Sequence, residues 1–154
     1  MTEYEILCEV ARGRGLNVKR LPLDEETKGL IKGDRVAIRD DLTEAEAADT
    51  LAEEIAHDAL NVGDITDLSV TVNRKQEMKA RMLAYDIRIG LSGIVTCYRY
   101  GCRSRYEMAQ LLDVSEEFLA EALEHYRRKY GRTPVTVDHY VVVFEPRIGV
   151  IELI

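Results

Sequence analysis

The sequence predicts an α+β fold: a single, mainly helical domain over residues 1–154 with a small antiparallel sheet. Three observations point to it. Apolar residues recur at helical spacing through most of the chain, while alternating runs are confined to a short stretch after the first helix and to the C-terminus. A chain of 154 residues is also long enough to bury about two-thirds of the surface it would expose unfolded, so it needs no disulfide framework.

The elements follow in order. Tyr4, Leu7, Cys8 and Ala11 share one face of a helix over 3–14, which the sequence Gly13-Arg14-Gly15 stops. "LNVKRLPL" is extended, and "GLIKGDRVAIRDDL" forms a hairpin turning at Lys32-Gly33-Asp34. Thr43 caps a long helix, with Glu46 completing a capping box. Asn61 and Gly63 supply the turn at its end, and Asp58, Asp64 and Asp67 offer a hydrogen bond to His57 or simply face solvent.

A third helix begins near Asn73 and passes Ile89, with Met78, Met82, Tyr85 and Ile89 along one face. From Arg103 two helices meet at Asp113-Val114, the second capped by Ser115 and closed by Gly131. "HYVVVFEPRIGVIELI" then supplies two strands separated by Pro146 to Gly149.

The charge is −7, from 28 acidic against 21 basic residues, which opposes long-range attraction to a polyanion. "YEMAQLLDVSEEFLAEAL" imitates a helix-turn-helix, yet its second helix opens with Glu116 and Glu117 where a DNA reader needs basic or amide groups. It is read as a packing motif, and direct nucleic-acid binding is not expected. Arg127, Arg128 and Lys129 complement the end of that helix, with His125 in the same turn, and His139 is read as a strand-end residue.

Cys8, Cys97 and Cys102 are an odd number, and the C-x4-C pair lacks the partners of a zinc knuckle, so reduced thiols are expected. The acidic N-terminus does not resemble a signal peptide, and no apolar run approaches the ~20 residues of a membrane span. A cytoplasmic location without membrane contact is expected.

The stretch "LAEEIAH" carries the chemistry. Glu53 and His57 lie one turn apart on a helix and project from the same side, with Glu54 beside them. This is an H-E-x-x-H pattern whose first histidine is a glutamate. Downstream, "EMKARMLA" places Glu77 ahead of Ala80 and Ala84, and the alanines Ala45, Ala48, Ala52, Ala56 and Ala59 give the first helix a small stripe suited to close approach. The bland alternative is an ordinary helix-stabilising Glu–His pair, worth about 0.2–0.5 kcal/mol.

The order of helix, hairpin, "LAEEIAH", "NRKQEMKARMLAYD" and "MAQLLDVSEEFLAEAL" resembles the ImmA/IrrE family of metallo-endopeptidases, in particular its short phage and prophage members, over nearly the whole chain. The resemblance implies a zincin-like metal helix and an enzyme that cleaves a repressor of helix-turn-helix type. It implies metal ligation by His57, by Glu77 and, at the first-histidine position, by Glu53, with Glu54 as the general base.

Zinc is the expected ion. The more anionic ligand set made by Glu53 would hold it less selectively and admit Mn2+ or Fe2+. The exchange at Glu53 also motivates a rival expectation: a catalytically inactive family member that binds a repressor or another regulatory protein, like an antirepressor, without cutting it.

Overall fold

Thr2 opens the first helix, α1 (Glu3–Gly13), by accepting a hydrogen bond from the Glu5 amide at 3.1 Å. The computed structural model of the chain describes residues 1–60 and 70–154, and of residues 70–73 the backbone alone. These residues form two compact units, Met1–Ala84 and Tyr85–Ile154. The reading of 1–154 as one domain drew no such boundary, which falls inside a helix.

In the first unit, Leu7 and Ala11 are the buried residues of α1, with Tyr4 and Cys8 half-buried beside them. After Gly15 come β1 (Asn17–Leu21), β2 (Gly29–Lys32) and β3 (Arg35–Arg39). β2 and β3 form the expected hairpin, with Gly33 in the left-handed region at φ 63°. β1, however, joins β3 in parallel, giving a mixed sheet of order β1-β3-β2 instead of a purely antiparallel one. β3 takes the centre because Val36 and Ile38 are almost fully buried, whereas β1 and β2 alternate between exposed and half-buried positions, as edge strands do.

The capping box predicted for α2 (Glu44–Leu60) is present. The Glu46 amide donates to Thr43 Oγ1 at 3.1 Å and the Thr43 amide to Glu46 Oε1 at 3.2 Å. Ala47, Ala48, Leu51, Ala52, Ile55 and Ala56 are buried. Among the described residues, α1, β2 and β3 pack on α2, and its small side chains let these elements approach closely. Asp58 accepts a 2.9 Å hydrogen bond from Arg14 Nε and thereby pins α1 to α2; it does not turn to His57.

One contact sets the distance between β2 and α2. A Cβ on Gly29 would stand 2.6 Å from Thr50 Cγ2, 3.3 Å from Glu54 Oε1 and 3.4 Å from the Ala37 carbonyl oxygen. Thr50 is itself buried and held by its hydroxyl, which donates to the Glu46 carbonyl at 2.8 Å.

α3 (Val70–Arg88) does not pass Ile89 as expected: Ile89 alone separates it from α4 (Gly90–Arg99), which opens on Gly90 at φ 64°. The stripe expected along α3 is buried only near its end, at Tyr85 and Ile89; Met78 is 55% exposed, and Ala80 and Ala84 take the packed side. A long methionine cannot occupy the side of a helix that lies closest to its neighbours, and alanine can.

The second unit holds α4, α5 (Arg105–Leu112), α6 (Glu116–Tyr130), and an antiparallel sheet of β4 (Val135–Val137), β5 (Tyr140–Val143) and β6 (Gly149–Glu152). Ser104 and Ser115 cap α5 and α6 as acceptors from Glu107 and Phe118 amides, each at 3.1 Å. Asp113 closes α5 in the left-handed conformation at φ 54°, and its carbonyl accepts from the buried Arg88 guanidinium. The helix pair buries Ala109, Val114, Phe118, Leu119 and Leu123, as a packing motif should.

β4, a three-residue strand directly after Pro134, was not anticipated from sequence; the β5–β6 pair was. Phe144 stacks on Tyr130 at 5.6 Å and contacts Tyr126 at 6.1 Å, joining α6 to the segment after β5. Among the described residues no helix is long and apolar enough to cross a membrane.

The close approach at Gly29 is testable. Gly29→Ala should lower the unfolding free energy in urea by about 1–3 kcal/mol through overpacking. Adding Thr50→Ser, which removes the methyl but keeps the hydroxyl, should recover most of it. A neutral Gly29→Ala would contradict the contact.

Candidate active site

The site is built from α2, α3 and the edge strand β2. Glu54 and His57, three residues apart on α2, line a cleft of about 290 Å³ together with Gln76 and Glu77 of α3 and the segment Gly29, Leu30 and Ile31 of β2; Leu60 completes the lining. Helical periodicity explains the first pairing, since positions i and i+3 share a face. His57 Nε2 and Glu77 Oε2 stand 3.4 Å apart, so the histidine and the predicted downstream glutamate do meet.

Glu54 is the electrostatic centre. It is 8% exposed, and burial raises its carboxyl from the ordinary 4.5 to about 7, with the negative charges of Glu53 and then Glu77 adding to the effect. Near neutral pH this carboxyl both holds and releases a proton, which is what a general acid–base needs. Glu53 is close enough to act on Glu54 but is not among the residues lining the cleft.

The donor set can be compared with what a metal requires. Two ligands at ~2.0–2.2 Å from a tetrahedral zinc ion lie about 3.3–3.6 Å from one another, and the His57–Glu77 separation of 3.4 Å matches that edge. These two donors fit. Among the described residues no three His, Cys, Asp or Glu side chains converge as a metal-holding group, and Glu53 is not one of the residues lining the cleft.

The remaining candidates lie elsewhere. Asp64 and Asp67, with the turn residues Asn61 and Gly63, fall outside the described residues. His139 sits at a strand end as expected, stacked on Tyr140 at 4.3 Å with its Nε2 3.5 Å from Glu152 Oε1. His125 stacks on Tyr85 and Tyr126, and burial lowers its pKa. Arg127 is engaged by Glu124 at 2.6 Å and by Glu145 at 2.7 Å, a specific network in addition to any dipole effect.

Sequence reasoning missed Gly29, Leu30, Ile31 and Gln76 as cleft residues. The available signal was a glycine opening a β-run, which marks a close backbone approach.

No family model matches the chain, and neither a curated protein nor a solved structure does so.

The Glu54 environment has a consequence for stability. Between pH about 4.5 and about 7 the unfolded carboxyl has lost its proton while the folded one keeps it. The folded state then binds more protons, so stability is highest below this window and falls as pH rises through it. In chelator-treated protein, Glu54→Gln should flatten that fall, worth on the order of 3 kcal/mol across the window. Urea midpoints measured at several pH values check this, and parallel profiles for the two proteins would contradict it.

Proposed function

We propose that this protein is a metal-dependent endopeptidase of the kind its ImmA/IrrE resemblance implies, acting in the cytoplasm on a protein such as a helix-turn-helix repressor of a phage or mobile element. The observation that carries the reading is the gathering of a buried, near-neutral Glu54 with the His57–Glu77 pair in one cleft beside β2, an edge strand among the described residues.

β2 is an edge strand, and three of its four residues line the cleft. An extended peptide adds to such an edge through main-chain hydrogen bonds, which hold it without demanding a particular sequence. Gly29 lies against Thr50 and Glu54, so a peptide paired with β2 would run close to the Glu54 carboxyl.

His57 and Glu77 would hold the metal, with Glu53 the expected further ligand and zinc the expected ion. When bound, it supplies Lewis-acid polarisation of the scissile carbonyl and lowers the pKa of water. Glu54 takes the proton from the attacking water and delivers it to the leaving amine; a carboxyl that titrates near 7 can do both in one cycle. Partial exclusion of solvent around Glu54 strengthens each of these charge interactions.

A second reading, a catalytically inactive protein-binding regulator, is favoured by one observation: among the described residues no three side chains form a metal-holding group. In that case the same strand edge serves binding alone.

Cleavage of a library of internally quenched peptides in the presence of zinc separates the two. On the peptidase reading the wild type cleaves, and Glu54→Gln loses at least about a hundredfold in kcat/KM while a captured peptide still binds. Equal rates for the two proteins, or no cleavage by either, would favour the binding module.

A further inference from the structure

The end of α4 carries a feature unconnected with the cleft. The Cys102 amide donates to the Cys97 carbonyl at 3.0 Å and the Gly101 amide to the Tyr98 carbonyl at 3.0 Å, with Gly101 in the left-handed region at φ 75°. This is a Schellman cap, which turns the chain back so that the residue after the glycine touches the residue three positions before the cap. Those two contact positions are usually apolar. Here both are cysteines, so the Cys97 and Cys102 side chains share this contact, close enough that Cys102 helps raise the Cys97 pKa.

Both thiols line a cavity of about 670 Å³ within the second unit, as does the thioether of Met108. Arg103, Arg105 and Arg147 line it too, and their side chains have no ion-pair partner among the described residues. Arg127 and Glu124, which also reach the cavity, neutralise one another at 2.6 Å, so the wall is left with a positive surplus.

We propose that Cys97 and Cys102 form a two-thiolate binding site for a soft monovalent metal ion, copper(I), at the wall of this cationic cavity. Thiolate and thioether donors select soft ions. A d10 monovalent ion is satisfied by two thiolates in near-linear coordination, whereas zinc asks for four ligands. No third His, Cys, Asp or Glu joins the pair among the described residues.

Charge points the same way. Two thiolates and one copper(I) carry a net charge of −1, which the unpaired arginines offset. On binding, each thiol releases its proton to solvent and two Cu–S bonds form, with no change in oxidation state. Burial, with Cys102 next, holds the Cys97 thiol above its ordinary value. Such a thiol is seldom ionised at neutral pH and reacts slowly with disulfides, yet a soft ion displaces its proton.

The test is an anaerobic titration of the reduced full-length chain against the copper(I)–bicinchoninate complex, followed by the colour of the chelator. The wild type should withdraw one equivalent. Cys97→Ser and Cys102→Ser should each bind at least about tenfold more weakly, while Cys8→Ser matches the wild type. Because Cys97 is buried, alkylating Cys102 alone in the folded protein provides a second probe and should also abolish binding. No withdrawal by the wild type, retention after both serine changes, or an equal loss in Cys8→Ser would overturn the proposal.

Discussion

The approach of the edge strand β2 to α2 is the constraint on which the rest of the first unit depends. With hydrogen as its side chain, Gly29 brings the strand within van der Waals distance of Thr50 and Glu54. That proximity buries the Glu54 carboxyl, and its burial raises the pKa to about 7. The same proximity brings β2, an edge strand among the described residues, to the cleft where His57 and Glu77 meet. The position of Glu54 and its protonation thus share one steric origin.

α2 can serve this purpose because it is packed on several sides. Its alanines admit α1 and the sheet closely, the capping box fixes where it starts, and the Arg14–Asp58 bond ties its last turns to α1. A charged carboxyl on so buried a helix is costly unless protonated or matched by a cation. Glu54 is placed where the first option operates near neutral pH and where a bound cation would supply the second.

Much of this was legible in the sequence because it was local. The capping box at Thr43 and Glu46, the Gly33 turn, the Ser115 cap and the split at Asp113 each follow from a few adjacent residues, and each is present. Features that depend on distant pairing were not legible. The parallel joining of β1 to β3 comes from the burial of Val36 and Ile38, and the exposure of Met78 from where α3 is packed.

At the site, the spacing foretold a shared face for Glu53 and His57 with Glu54 beside them, whereas Glu54 and His57 line the cleft and Glu53 does not. The downstream pattern foretold Glu77, but nothing local revealed that β2 would complete the cleft. The cysteine pair was weighed only against zinc-knuckle spacing. Its signal was the glycine between Tyr100 and Cys102, which makes C-x4-C a contact pair at a helix end.

Zinc binding by chelator-treated protein in a Cys102→Ser background, followed by equilibrium dialysis and elemental analysis, tests the central claim most directly. The background removes the thiol pair as a competing site. The account predicts one equivalent of zinc in that protein, lost when either His57 or Glu77 is changed to alanine. No bound zinc, or zinc retained after both changes, would contradict it.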